Sequence, residues 1–128
     1  MKQKKVIISD RFTDSTIAYQ VYGKKVKRTF IDKIHEYILD KIKPNITFVL
    51  TVSPKVSKQR LKKRRTKNRY DNFPQSFYTK AQKSFVKLAK GKNNYFVFDA
   101  SKNDKNLEKL IFREVSKRLG IKWVSKDQ

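Results

Sequence analysis

"VIISDRFTDSTIAYQVYG", residues 6–23, changes character halfway along. Val6 to Ser9, with Lys5 before them, read as a short strand buried on both faces, because the apolar run does not alternate with polar residues. Asp10 and Arg11 then stand side by side, followed by hydroxyls, two tyrosines and a glutamine at near-helical spacing. A hydrophobic core needs none of these. In an open parallel sheet, ligands sit beyond the carboxyl ends of the strands, and this segment occupies that place.

Two further runs rich in β-branched and aromatic residues predict strands: "ITFVLTV" (46–52) and "YFVFDA" (95–100). Helical patterns lie between and after them. In "RTFIDKIHEYILDKI", Phe30, Ile31, Ile34, Tyr37, Ile38 and Ile42 are expected on one core-facing side. "SPKVSKQRLKKRR" opens with Ser53 as N-cap and Pro54 at the first helical position. "PQSFYTKAQKSFVKLAKG" aligns Phe77, Ala81, Phe85, Leu88 and Ala89 before Gly91. "DKNLEKLIFREVSKRLG" is capped by Asp104, turns Leu107, Leu110, Ile111, Val115 and Leu119 inward, and stops at Gly120. Strands separated by helices of this length imply right-handed crossovers, hence an α/β fold with a mostly parallel sheet covered on both faces.

At 128 residues the chain is one domain at most. A chain of this size buries roughly 65–70 % of its unfolded surface, and 38 % hydrophobic residues are enough for a core. The absence of cysteine excludes disulfides and thiolate metal sites and fits a reducing cytoplasm. The apolar run near the N-terminus is too short for a secretory signal, and no later run is long enough to span a membrane. The net charge is +22, from 25 lysines and 8 arginines against 11 acids. Such a field attracts polyanions, yet the lysines are spread over every predicted element and equally describe solvated faces.

A carboxylate at a strand end, such as Asp10, can hold the water shell of Mg2+, which takes few carboxylates plus phosphate oxygens. Arg11 offers a planar fork of donors suited to phosphate. The same two residues can also merely cap the strand as an ion pair. Ser15, Thr16, Tyr19 and Gln20 fall on one helical patch that is polar and aromatic. Hydroxyls and an amide read a base edge or a sugar, and a tyrosine ring can lie against a sugar. With Arg11 for phosphate, this describes a nucleoside monophosphate pocket.

These residues resemble the Asp-Arg…Ser…Ala-Tyr-Gln…Gly signature of the thymidylate kinase family. "KPNITFVLTVSPKVSKQRLKKR", "NRYDNFPQSFYTKAQKSFVKLAK" and "FDAS" (98–101) resemble later segments of that family in order and spacing. The resemblance implies the three-layer parallel sheet of the P-loop nucleoside monophosphate kinases, with residues 1–128 forming its C-terminal portion and the first two strands missing. It implies an acceptor-site segment over 5–24 and a lid over 54–74. The activity implied is transfer of the ATP γ-phosphoryl group to dTMP, giving dTDP, in the cytoplasm, with Mg2+ and in a homodimer of the complete protein.

The same resemblance implies roles by position. Asp10 is the acid near the metal, acting through water, and Arg11 the arginine between the phosphates. Ser15 and Thr16 lie near the base, Tyr19 against the deoxyribose, and Gln20 lines the pocket. Arg60, Arg64 and Arg69 match lid positions, with Arg64 among the catalytic groups; charge neutralisation is what phosphoryl transfer most needs. As a bare sequence, "RLKKRRTKNR" also reads as a solvated basic helix end.

Departures from the family pattern are Thr51 and Asn68 in place of acids, Val21 and Tyr22 in place of glycines, and Gln82 in place of an arginine. No G-x-x-x-x-G-K-[ST] occurs, and the only glycines are Gly23, Gly91 and Gly120. That loop wraps backbone N–H groups around donor phosphates. The 128 residues alone are therefore expected to be inactive, with a complementing N-terminal part restoring sheet and activity. The rival readings are a small basic nucleic-acid-binding protein and a non-catalytic remnant that pairs with another subunit.

Overall fold

The computed structural model describes residues 5–64, 66, 73–102 and 104–121. The expectations for Asn68 and Arg69 lie outside the described residues. The chain divides into two compact units, Met1–Lys43 with Ser76–Leu88, and Pro44–Gln75 with Ala89–Gln128.

The first unit is helical. Helix α1 (Thr13–Thr16) runs directly into a π-helix over Ile17–Gly23, and α2 spans Arg28–Leu39. Helix α4 (Gln75–Ala89) supplies the second stretch of this unit. Ile17, Ala18, Ile31 and Ala81 are its buried apolar residues. Gly23 closes the π-helix where space is shortest: a Cβ there would stand 2.6 Å from Cε2 of Phe77.

The second unit carries the sheet. Strands β1 (Thr47–Thr51) and β2 (Tyr95–Asp99) pair in parallel, with Phe48 opposite Phe96, Val49 opposite Val97 and Leu50 opposite Phe98. The rings of Phe48, Phe96 and Phe98 lie 5.7–6.3 Å apart on one face, as the two-residue strand period requires. Helix α3 (Pro54–Lys63) follows β1, and α5 (Lys105–Leu119) follows β2. Their ends obey local chemistry. Ser53 Oγ accepts from Val56 N at 3.3 Å, and Asp104 Oδ1 accepts from Leu107 N at 3.2 Å, so each cap satisfies one orphan N–H. Gly120 ends α5 at φ 65°, a left-handed conformation that glycine adopts without Cβ strain.

The parallel α/β character is thus confirmed, with two of the three anticipated strands. The third is a correction: Lys5–Ser9 forms no strand, and Ile7 and Ile8 are 89 % and 93 % exposed. A strand exists only through its ladder, and this run has no ladder partner among the described residues. A second correction concerns α2. Of its anticipated core face only Ile31 is buried, while Phe30, Tyr37, Ile38 and Ile42 are largely exposed. The helical period was right, but nothing among the described residues covers that side. Leu119, expected inside, is also exposed.

Candidate functional site

Arg11 departs most from ordinary backbone geometry in the acceptor segment. Its φ is 71°, in the left-handed region that a bulky side chain seldom occupies. Ser9 Oγ donates to the Arg11 carbonyl at 2.8 Å, which closes the turn on the near side. Such strain persists only where surrounding contacts enforce it, and it concentrates at functional sites.

The turn aims the guanidinium at Tyr19. Arg11 Nη1 donates to Tyr19 Oη at 3.2 Å, and the guanidinium carbon lies 5.4 Å from the ring centroid. Tyr19 is bracketed in turn, with the Phe77 ring at 5.7 Å and the Phe85 ring edge-on at 6.2 Å. Phe77 and Phe85 read in the sequence only as the apolar side of α4; their i, i+8 spacing was the available sign that both meet one partner. Asp10 is exposed and forms no ion pair among the described residues.

Ser15 and Thr16 belong to α1, and Tyr19 and Gln20 to the π-helix, all four half-buried. The wide turn is visible in its hydrogen bonds: Lys24 N donates to Tyr19 O at 3.0 Å and Val26 N to Gln20 O at 2.9 Å. The α-helical spacing inferred from sequence therefore holds only up to Thr16. A π-turn rotates the following side chains relative to the preceding helix and is common at functional sites. Val21 and Tyr22, where the family pattern has glycines, sit inside this turn.

In the second unit, Arg60 is engaged by the backbone. Its Nη2 donates to Ala100 O at 2.8 Å and to Ser101 O at 3.0 Å. The loop after β2 is tied further: Ser53 N donates to Ser101 Oγ at 3.1 Å, and Ser101 N to Asp99 Oδ1 at 2.8 Å. Those contacts from Ser101 hold the Asp99 carboxyl below its usual range. Thr51, the position of a family acid, donates Oγ1 to Phe98 O at 3.2 Å and so joins the strands instead of carrying charge. Arg64 is exposed at the C-cap of α3, and Arg69 lies outside the described residues.

Among the described residues no cluster of three or more His, Cys, Asp or Glu could hold a metal ion. Asp10 is an exposed carboxylate, as are Asp32, Glu36, Asp40, Asp99, Asp104 and Glu108, so accessibility does not single it out for a cation. The donor set for ATP phosphates does not fit, since the sequence has no Gly-rich loop with its lysine. An open cleft of about 650 Å³ runs along α5, lined by Lys109, Leu110, Arg113, Lys117 and Ile121 among others, and contains none of the site residues named above.

The family model described as Thymidylate kinase matches residues 1–111. Thymidylate kinase from Onion yellows phytoplasma (strain OY-M) is 39 % identical over 115 residues, covering 87 % of this chain and 55 % of that protein. Thymidylate kinase from Aster yellows witches'-broom phytoplasma (strain AYWB) is 37 % identical over the same shares of each chain. That from Thermosipho africanus (strain TCF52B) is 29 % identical over 119 residues, 93 % of this chain and 59 % of that protein. The chain belongs to the thymidylate kinase family. It spans about half the length of the curated relatives it matches.

Proposed function

We propose that this chain carries the acceptor pocket and lid of a dTMP kinase, which transfers the ATP γ-phosphoryl group to dTMP and yields dTDP for dTTP synthesis in the cytoplasm. The observation that carries the reading is the Arg11–Tyr19 pair, held by a left-handed turn at Arg11. Family membership and the helical segment after it agree with that reading.

In this account Arg11 grips the dTMP phosphate and orients its attacking oxygen. Tyr19 keeps its ring against the deoxyribose, where its bulk disfavours a 2′-hydroxyl. Ser15, Thr16 and Gln20 supply hydroxyls and an amide toward the base. Asp10 holds Mg2+ through its water shell; the ion, when bound, supplies neutralising charge beside the phosphates. Arg64, with Arg69 beyond it, balances negative charge from the lid. Arg60, bound to two carbonyls, ties the helix after β1 to the loop after β2; its proposed part in the ATP lid rests on family membership alone.

No donor-phosphate loop is present in the sequence, so no phosphoryl-transfer step is assigned to these 128 residues by themselves. The complete enzyme is proposed to be a homodimer. No helix of the described residues is long and apolar enough to cross a membrane.

A thermal-shift screen with dTMP, UMP, ATP and a DNA duplex at two salt concentrations tests the reading. A dTMP shift that exceeds the UMP shift and survives added salt supports it. Stabilisation by the duplex alone, lost steeply with salt, favours the basic nucleic-acid-binding reading instead.

A further inference from the structure

Gly23 ends the π-helix, yet its backbone does not demand glycine: positive φ occurs at Gly91 and Gly120 and not there. The demand is spatial. A Cβ at residue 23 would stand 2.6 Å from Cε2 and 3.1 Å from Cζ of Phe77, and 3.5 Å from the carbonyl oxygen of the fully buried Ala18. The missing side chain is thus the seat of the Phe77 ring. That ring also meets Tyr19 at 5.7 Å, so one side chain of α4 engages both the middle and the end of the π-helix.

Tyr19 needs such a hold if its ring is to reject a hydroxyl. A steric block discriminates only by the free energy required to push the blocking group aside. The exposed hydrogen bond from Arg11 is a weak hold, because water competes for it. Phe77 and Phe85 supply a stronger one. They stand about 12 Å apart along the α4 axis, with the Tyr19 ring tilted 32° to the first and edge-on at 76° to the second. The tilted neighbour stops the ring sliding, and the edge-on neighbour stops it turning. Further along α4, Lys87 Nζ lies 5.5 Å from the Tyr22 ring centroid and ties the same turn to the same helix.

We propose that Phe77 and Phe85 are positioning residues for sugar selection, acting through Tyr19. Seated against Gly23, Phe77 fixes the Tyr19 ring from one side and Phe85 from the other, so that the ring cannot yield to a 2′-hydroxyl. The proposal rests on the reading that residues 10–20 receive dTMP. It adds that a helix more than fifty residues downstream sets how strictly a ribonucleotide is refused.

Calorimetric titration of the 128-residue chain with dTMP and with ribothymidine 5′-monophosphate tests it, since the two ligands differ only at the 2′ position. The wild type should bind dTMP about tenfold or more tightly than the ribonucleotide. Phe77→Leu and Phe85→Leu should each cut that ratio by about threefold or more through tighter ribonucleotide binding, with dTMP affinity held within about threefold. Phe77→Tyr keeps the ring and should keep the ratio. Ile31→Val, a buried change in the same unit outside this ring cluster, should lower the melting temperature and leave the ratio within about twofold of wild type.

Wild-type selectivity in both leucine variants overturns the proposal, as does an equal loss in Ile31→Val, which would make selectivity a consequence of stability alone. A wild type that binds dTMP without discriminating also overturns it, and leaves the nucleotide reading in place. A wild type that binds neither ligand fells that reading, and this proposal with it.

Discussion

Arg11 and Tyr19 meet through one hydrogen bond of 3.2 Å between Nη1 and Oη, with the guanidinium 5.4 Å from the ring centroid. The pair links a strained turn to a wide helical turn, and the bracket of Phe77 and Phe85 fixes its tyrosine end. A long cationic side chain is thereby held in one orientation, which under the proposed function would reduce the entropy lost on binding a phosphate.

Removing only the hydroxyl separates orientation from packing. Tyr19→Phe should lower stability by at most about 1 kcal/mol, since the hydrogen bond is exposed. Tyr19→Ala also loses the contacts to both phenylalanines and should cost about 2–4 kcal/mol. Chemical denaturation gives both values. If dTMP is preferred over UMP, that preference should persist in Tyr19→Phe and vanish in Tyr19→Ala.

Gly23 offers a steric test of the same bracket. Its added methyl would meet Phe77 Cε2 at 2.6 Å and Cζ at 3.1 Å. Gly23→Ala should therefore push the Phe77 ring aside and destabilise by roughly 1–3 kcal/mol. Gly23→Ala combined with Phe77→Leu should recover part of that loss in a double-mutant cycle.

Arg60 serves two carbonyl acceptors from one nitrogen, and Ala100 beside it is buried. Truncation in Arg60→Ala leaves both acceptors without this donor and should cost about 1–3 kcal/mol. Arg60→Lys keeps a charged donor but loses the fork geometry, so it should fall between the two. Melting temperatures of the three proteins give the order.

Asp99 provides a pH signature. Contacts from the Ser101 side chain and backbone depress its pKa below the ordinary 3.8. A depressed acid adds stability above its unfolded pKa, and that contribution fades as pH falls through the folded value. The loss should therefore appear below about pH 4, and Asp99→Asn should flatten that limb in melts collected from pH 2 to 5.

Much of this architecture could be read from residue patterns. Ser53, Asp104 and Gly120 announced the ends of α3 and α5 because capping is a local interaction. The runs around Val49 and Val97 became strands because each finds the other. Val6–Ile8 has the same composition and did not, since a ladder depends on a neighbour that composition cannot supply. Phe30 and Ile38 make a related point: a helical period says which side is apolar, not that something covers it. At the site, residue types placed Asp10, Arg11 and Tyr19 in one segment. The positive φ of Arg11 and the π-turn after Thr16 left no mark in the spacing, because neither requires glycine.

The central claim is that residues 10–20 receive a nucleoside monophosphate. It is tested most directly by titrating isotopically labelled chain with dTMP in 150 mM salt and following amide resonances, in parallel with Arg11→Lys. The account predicts shifts confined to residues 10–23 and a loss of affinity of tenfold or more in Arg11→Lys, because a point charge replaces a planar fork. Shifts scattered over the surface lysines, equal in both proteins, would contradict it.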